Sequence, residues 1–273
     1  MTLTTTTAST PGIAPTSGHY LADTGTLIGR SIRLTRRDAD TLLMSIVLPV
    51  MLMLLFVFVF GGAVDIDGTT GRSGYVTYVV PGIVLLCVGY GASTTAMSVA
   101  KDMHEGMIDR LQTLPIRSSS VLTGHVVASA VRNALATVIV FAAAFACGFR
   151  PTATASEWLA ATGLLLLYVL ALSWLAAALG LLAGSVEAAG IMSFFMLFLP
   201  YLSSAFVPTD TMPAVLRAFS EHQPVTPIIE TVRGLLTGTA IGSSAAWAVA
   251  WSAGLMLVGF MAAALLFRRR TRR

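Results

Sequence analysis

The sequence predicts an all-α, polytopic integral membrane protein with six transmembrane helices, and three observations lead to that class. Only 11% of the 273 residues are charged and 55% are hydrophobic, whereas roughly one quarter of the residues in soluble domains are charged. The apolar residues gather in six runs, each close to the roughly 20 residues that a helix needs to cross the hydrocarbon core. The runs are unbroken rather than alternating, which excludes the strands of a membrane β-barrel.

The six predicted spans cover residues 41–60, 75–99, 126–148, 158–183, 188–207 and 245–267. Within the second, Pro81 and Gly82 should bend the helix. The fourth contains small residues that allow helices to approach closely, namely Ala176, Ala177, Ala178, Gly180, Ala183 and Gly184. Cys87 and Cys147 each lie within a span, so we expect them to pack as small apolar residues rather than to form a disulfide.

The placement of arginine predicts that both termini are cytoplasmic, because cytoplasmic loops retain positive charge. Four arginines precede the first span and five follow the sixth, namely Arg30, Arg33, Arg36, Arg37, Arg268, Arg269, Arg270, Arg272 and Arg273. Lys101, Arg110 and Arg117 lie in the loop after the second span, which counting also places inside. The net charge of +4 therefore indicates topology and contact with anionic lipid rather than binding to nucleic acid.

Two segments precede the first span. Residues 1–23 are rich in threonine and too poor in apolar residues to form a core, so we expect a disordered cytoplasmic tail. Residues 24–40 place Leu27, Ile28 and Ile32 on one helical face and arginines on the other, which is typical of an amphipathic helix that lies on membrane lipid. Residues 24–273 then form a single transmembrane domain.

The loop at residues 101–117, KDMHEGMIDRLQTLPIR, is the one dense run of mixed charge. Written on a helix, Met103, Met107, Leu111 and Leu114 form one stripe, and the acidic residues Asp102, Glu105 and Asp109 form another. Pro115 should end this helix. Such a helix could lie in the headgroup plane, or it could dock on a soluble partner, and the residues alone leave both interpretations open.

A second informative region covers residues 208–244. The pieces 213–220 and 227–237 are apolar at helical spacing but too short to cross about 30 Å of hydrocarbon. We therefore expect them to enter from the outside and return. Glu230 and Arg233 are spaced i, i+3 and could pair on one face of the second piece.

Few polar residues fall inside or beside the spans. Arg132 and Asn133 lie about two turns into the third span; we expect Arg132 to extend toward the inner headgroups, and a pathway role is the alternative. Glu187, in the short link between the fourth and fifth spans, is expected to be a charge at a helix N-terminus rather than a pathway carboxylate.

Three stretches together resemble the membrane subunit of a type-2 ABC exporter, and in particular the daunorubicin-resistance-type permeases. They are EGMIDRLQTLPI at 105–116, LPYLSSAFVPTDTMP at 199–213 and HQPVTPIIETVRGLLTG at 222–238. The third is the most specific, since the family commonly has Asn-Pro-Val-Thr followed by an Arg-Gly or Arg-Ala pair. Gln223 stands where asparagine is frequent, which leaves the role of its amide open.

The resemblance implies an interfacial N-terminal helix, a coupling helix after the second span and a re-entrant gate before the sixth. The coupling residues would be Glu105, Gly106, Met107, Asp109, Arg110 and Leu111, and the gate residues would be Pro224, Glu230, Arg233 and Gly234. Two permeases, either two copies or this chain with a homologous one, would face each other in a prokaryotic plasma membrane. Each would contact a separate soluble ATPase.

The resemblance also implies that ATP and Mg²⁺ are bound by the partner and that this chain holds no cofactor. The residues agree, because a phosphate-binding loop needs a Gly-Lys pair and the only lysine, Lys101, follows Ala100. Family members export drugs, glycolipids or polysaccharide precursors, and the stretches quoted above favour drugs.

The residues argue against two other classes of membrane protein. An intramembrane protease is disfavoured because the GAST motif at 91–94 lacks a histidine base within the membrane, and His104-Glu105 is not followed by the second histidine of a zinc site. A secondary transporter or channel usually places ionisable residues near the bilayer midplane, where these spans are almost uncharged.

Overall fold

Every regular element in the described part of the chain is helical, and the computed structural model describes residues 39–62, 72–106 and 119–270. The α-helices are α1 Ala39–Leu55, α2 Arg72–His104, α3 Ser119–Ala146, α4 Ala155–Leu182, α5 Val186–Phe198, α6 Ala214–His222, α7 Val225–Thr237 and α8 Ser244–Arg270. A π-helical turn, Phe56–Phe60, continues α1, and a 3-10 turn, Leu199–Leu202, continues α5. A further 3-10 turn covers Thr209–Thr211.

Four of these helices have the length and apolarity to cross a membrane: Gly74–His104, Val121–Ala146, Ala155–Leu182 and Ser244–Arg269. Ile46–Phe60 and Val186–Leu202 are apolar but shorter. The predicted class, an all-helical protein with several membrane spans, is confirmed. The count of six spans goes beyond what these lengths establish.

The fifth predicted span, residues 188–207, is too long at its C-terminal side. The α-helix ends at Phe198, because Pro200 has no N–H to donate and the next turn tightens to a 3-10 helix. Residues 203–206 form turns. The second and third helices are longer than the predicted spans at their adjoining ends. Helix α2 continues to His104 rather than ending at residue 99, and α3 begins at Ser119 rather than at residue 126.

Local chemistry determines several helix ends. Before α4, the hydroxyl of Thr154 accepts from the backbone N–H of Glu157, while the Glu157 carboxylate accepts from the backbone N–H of Thr154, so two otherwise unpaired donors are satisfied. Ser185 caps α5 in the same way through the N–H of Ala188, at 3.1 Å. The Ser185 cap lies in the short link between α4 and α5, residues 183–185.

Helix α2 lies at the centre of the bundle. It packs against five other helices, namely α1, α3, α4, α5 and α7. In its most apolar stretch 78% of the residues are buried by protein, against 17% in α8. Helix α8 therefore lies at the periphery, where it packs mainly on α4. We call the end of the bundle where α2 finishes and α3 begins the lower end, and the opposite end the upper end.

The buried apolar residues form two clusters. The larger one follows α2 from Tyr75 to Ala100 and includes residues from most of the other helices. The smaller one, which we call the lower core, lies at the lower end and consists of Val99, Val121, Leu122, Ala177, Ala178, Leu181, Ala263 and Phe267. It joins the lower ends of α2, α3, α4 and α8.

Both cysteines pack as predicted, although Cys147 lies in the turn just after α3 rather than within the helix. Cys87 is buried in the larger cluster and Cys147 packs at its edge, and both are free thiols. The tail at residues 1–23 and the interfacial helix at 24–40 lie outside the described residues, except that Ala39 and Asp40 already belong to α1. The tail and that helix stay predictions.

Candidate functional site

The break at the end of α5 leaves backbone carbonyls at the upper end of the bundle without helical donors. A helix ordinarily has four such carbonyls at its C-terminus, and burial makes each of them costly unless a donor is found. Here the chain turns through Leu199–Leu202 and residues 203–206 inside the protein, with Ser203, Ser204 and Ala205 all buried. The donors come from the segment that follows, residues 213–238.

Gln223, between α6 and α7, supplies the first donor. Its side-chain amide nitrogen lies 3.3 Å from the carbonyl oxygen of Leu199 and 2.7 Å from that of Leu202. The side chain is buried. This amide, whose role the sequence left open, thus caps the end of the 3-10 turn.

Arg233, on α7, supplies the second. Its Nε donates to the carbonyl of Tyr78 at 3.2 Å and its Nη2 to the carbonyl of Ser204 at 2.7 Å. The guanidinium carbon lies 3.7 Å from the centre of the Tyr78 ring, so the planar cation also stacks on that ring. One side chain therefore joins α7 to α2 and to the segment after α5.

The charges of Glu230 and Arg233 interact electrostatically, but their hydrogen bonds go elsewhere. Those of Arg233 go to the carbonyls of Tyr78 and Ser204, and the Glu230 carboxylate accepts from the hydroxyl of Ser244 at 3.0 Å. Side chains at i, i+3 share a face, but sequence spacing does not reveal that α2 and the segment after α5 each present a carbonyl to Arg233. Glu230 instead ties α7 to the start of α8.

We expect a double-mutant cycle to separate these pairs. Glu230→Ala and Ser244→Ala should each lower the free energy of unfolding by about 1 kcal/mol, and the double variant should lose little more, because both changes remove one bond. Thermal unfolding of the purified protein in detergent measures this. Glu230→Ala with Arg233→Ala is the contrast, and its coupling should be the weaker of the two, because the charges interact without a hydrogen bond between them. A stronger coupling there than in the Glu230 and Ser244 cycle would mean that the charges pair directly.

The other two predicted gate residues shape α7. Pro224 occupies the N-cap position of the helix. Gly234 lets the turn after the helix fold back, because a Cβ at this position would lie 2.5 Å from the Cγ1 of Ile241 and 3.0 Å from the carbonyl oxygen of Thr239. The N–H of Thr152, in the loop between α3 and α4, reaches the carbonyl of Leu236 at 3.0 Å. Helix α7 is thereby bonded to α2, to the segment after α5, to the start of α8 and to the loop between α3 and α4.

Helices α6 and α7 differ in exposure. In α7 the side chains of Val225, Ile228, Ile229, Val232 and Leu236 are all fully buried. In α6, by contrast, Val215 is 87% exposed and Phe219 is also exposed. We call the pair the upper cap: α7 is its buried layer and α6 lies over it at the surface.

The upper end of α2 is held against the broken segment by close contact. A Cβ on Gly82 would lie 2.5 Å from the Cβ of Ala205 and 2.8 Å from its Cα, so only glycine fits without a shift. The Tyr75 hydroxyl donates to the carbonyl of Phe206 at 3.3 Å. The upper cap, the end of α5 and the first turns of α2 therefore form one packed unit.

At the lower end, the predicted coupling residues are described only in part. Glu105 is exposed, and its carboxylate lies 3.9 Å from the ammonium of Lys101. The helix expected across residues 101–114 is interrupted in its described part: α2 ends at His104, and Gly106 adopts a φ of 65°, which favours glycine and stops the helix. Met107, Asp109, Arg110 and Leu111 lie outside the described residues.

Arg132 lies in the middle of α3, since the helix starts earlier than predicted. Its Nη2 donates to the hydroxyl of Thr95 on α2 at 3.0 Å, and Thr95 is fully buried. Contact of Arg132 with the headgroups stays a prediction. The neighbouring Asn133 is buried and donates to the carbonyl of Ser129 at 3.0 Å, while the hydroxyls of Ser129 and Ser173 lie 2.8 Å apart. A polar seam therefore links α2, α3 and α4.

Glu187 is exposed in the first turn of α5, beside the cap residue Ser185. A carboxylate at this position stabilises the helix N-terminus, which agrees with the predicted role. The sequence did not indicate that Gln223 caps the turn after α5 or that Arg233 contacts Tyr78 and Ser204. Only the buried glutamine had a visible signal, its position within the stretch at 222–238.

Comparisons with known proteins agree with the resemblance. The model of the ABC-2 type transporter family matches residues 22–237. The daunorubicin resistance ABC transporter permease protein DrrB1 of Streptomyces coeruleorubidus is 27% identical over 248 residues, which cover 90% of this chain and 86% of that protein. The probable doxorubicin resistance ABC transporter permease protein DrrC of Mycobacterium tuberculosis (strain CDC 1551 / Oshkosh) is 26% identical over 262 residues, covering 95% and 93%.

Proposed function

The chain belongs to the ABC-2 type transporter family, and from that premise we propose that it is the permease subunit of an ATP-driven exporter of hydrophobic or amphipathic, drug-like compounds. The observation that carries the proposal is the family match across most of the chain. It is supported by relatives named as drug-resistance permeases, to which this chain aligns over nearly their whole length. ATP and Mg²⁺ belong to a separate nucleotide-binding subunit.

The proposed topology has six spans with both termini in the cytoplasm of a prokaryotic cell. The four long helices are four of the spans. Helix α1 with its π turn comprises Ala39–Phe60, about 33 Å at the rise of an α-helix, which suffices for a fifth crossing. Helix α5 with its 3-10 turn comprises Val186–Leu202, about 28 Å, which is slightly short of the hydrocarbon thickness.

A crossing that ends short of the outer surface needs a cover for its last carbonyls, and the upper cap fills that position. We propose that α7 is the re-entrant piece, because it is buried, and that the exposed α6 lies at the outer membrane surface. In this arrangement Gln223 and Arg233 hold the exit closed, and a substrate leaves when the upper cap moves away from the end of α5. A second permease, either a copy or a homologous chain, faces this one.

Thiol labelling tests the proposed topology. In a background with Cys87 and Cys147 replaced, single cysteines at the exposed positions Asp210, Glu221 and Ser243 should all react with an impermeant maleimide added outside intact cells. Ser220 is unsuitable because it is fully buried. A cysteine in place of Glu105, at the lower end, is the matched control and should react only after the cells are opened. Labelling of Glu221 from the inside alone would mean that the segment crosses fully.

Transport itself is tested by reconstitution. The chain is purified with the P-loop ATPase that binds it and is placed in vesicles, and ATP-dependent movement of a fluorescent amphipathic dye such as ethidium is followed together with ATP hydrolysis. We expect dye movement only when both subunits and ATP are present. ATP-independent movement driven by an ion gradient would favour a secondary transporter instead.

Glu105→Arg addresses the contact with the ATPase. Reversing an exposed charge should leave the fold intact and weaken recognition, so dye movement per ATP hydrolysed should fall about tenfold, the effect of a contact worth about 1.4 kcal/mol. Glu221→Arg, an exposed charge reversal at the upper end, is the control and should leave both the ATPase contact and the ratio unchanged. Wild-type export and ATPase binding in the Glu105 variant would rule out a docking role for this residue.

A further inference from the structure

A hydrogen-bonded pair of titratable side chains lies at the lower end, beside the predicted coupling segment. The Nε2 of His125 on α3 lies 3.1 Å from the Oδ2 of Asp102 on α2. The side chains are only 12% and 13% exposed. Because an ionised carboxylate can only accept, Nε2 carries the proton in this contact.

The setting of the pair differs from that of its neighbours. Lys101 and Glu105, one residue before and three residues after Asp102, have side chains 64% and 59% exposed and lie 3.9 Å apart. An exposed pair of that kind contributes little to stability. The contact between His125 and Asp102 is shorter and partly buried, and it joins two different helices.

The pair lies directly beside the lower core. Val99 on α2 and Val121 and Leu122 on α3 belong to that cluster, and Met103 packs against it. The cluster continues to Ala177, Ala178 and Leu181 on α4 and to Ala263 and Phe267 on α8. A displacement of the ends of α2 and α3 is therefore passed to α4 and α8 by direct packing.

We propose that His125 and Asp102 are positioning residues for transport: their contact makes the lower ends of α2 and α3 move as one body, so that a push on the segment between them shifts the whole bundle. The proposal rests on the proposed function and adds to it the side chains that join the docking segment to the core. The upper end of α2 carries the close contact with Ala205 and the carbonyl bound by Arg233, so α2 connects the lower end to the upper cap.

The physical reason is a difference between packing and a directional bond. The apolar contacts of the lower core transmit a displacement but have no preferred direction. A charge-assisted hydrogen bond loses its energy when distance or angle changes and so resists sliding. Without it, α2 and α3 still pack, but only non-directional apolar contacts hold their lower ends in register.

Four variants test the proposal in the reconstituted complex, with three readouts: dye exported per ATP hydrolysed, binding of the ATPase and thermal unfolding. They are Asp102→Ala, His125→Ala, the exchange Asp102→His with His125→Asp, and the apolar double variant Asp102→Leu with His125→Leu. Arg269→Gln, an exposed charge at the same end, is the control. The apolar double variant removes both members of the pair together and replaces them with apolar side chains, so it should fold even if the single variants do not.

We expect the apolar double variant to bind ATPase and hydrolyse ATP normally while its export per ATP falls about tenfold, equivalent to about 1.4 kcal/mol. The exchange variant should recover most of the dye exported per ATP hydrolysed, because it restores the hydrogen bond. A role in packing alone would not predict that recovery. Wild-type coupling in a folded apolar double variant, or no recovery in a folded exchange variant, would overturn the proposal. If the wild-type complex itself exports no dye, the proposed function fails, and that result is distinct from either of these.

Discussion

Replacing Arg233 with alanine is expected to abolish export and to lower the free energy of unfolding by about 3 kcal/mol. The change removes the hydrogen bonds from the guanidinium to the carbonyls of Tyr78 and Ser204; a hydrogen bond to a charged group contributes about 1.5–3 kcal/mol. It also removes the stacking on Tyr78. Because one side chain joins α7 to both α2 and the end of α5, its loss should release the upper cap.

The measurement is dye export in vesicles together with thermal unfolding in detergent. Arg233→Lys keeps the charge but loses the planar fork that reaches two carbonyls at once, so it should restore only part of the stability. Arg150→Ala is the matched control, since Arg150 also donates to two carbonyls, those of Phe145 and Phe149, but lies exposed. Its effect should be about 0.5 kcal/mol or less. If Arg150→Ala and Arg233→Ala lowered export and stability equally, Arg233 would have no special role in holding the upper cap.

Replacing Gly180 with alanine is the second change with a large expected effect. A Cβ at this position would lie 2.9 Å from the Cβ of Val99 and closer still to the carbonyl oxygen of Ala96. The oxygen belongs to the backbone of α2 and cannot move alone, so α4 and α2 must separate. Overpacking of this kind costs about 1–3 kcal/mol.

Gly163→Ala, on the same helix, is the control. Nothing lies within 4 Å of the Cβ that it adds, so the change should be neutral or stabilise the helix by about 0.5–1 kcal/mol through backbone entropy. Unfolding in detergent measures both. Since Val99 also belongs to the lower core, Gly180→Ala should lower export per ATP as well. A folded Gly180→Ala variant as stable as Gly163→Ala would contradict the tight crossing of α2 and α4.

Helices whose extent depends on residues close in the sequence could be predicted from the sequence. The predicted piece at 227–237 corresponds to α7, Val225–Thr237, and the predicted span at 158–183 corresponds to α4, Ala155–Leu182. Apolar length and capping residues decide such elements locally. The prediction at 188–207 was wrong at its end although Pro200 was visible, because an apolar run does not show where a helix tightens and turns.

Contacts between distant parts of the chain could not be read in this way. Gly180 and Gly184 look alike in the sequence, yet only Gly180 faces a neighbouring backbone. Glu230 and Arg233 have suitable spacing and opposite charge, but Arg233 binds the carbonyl of Tyr78, 155 residues away. His125 and Asp102 likewise meet across two helices.

By itself, then, the sequence determined the membrane class, the approximate extent of the helices and the family resemblance. Only the packed helices show which carbonyls Arg233 binds, which turn Gln223 caps and which two helices the contact between His125 and Asp102 joins. The physical reason is that hydropathy and capping act within a few residues of the chain, whereas a buried donor bonds to whichever acceptor the packing of helices leaves without a partner.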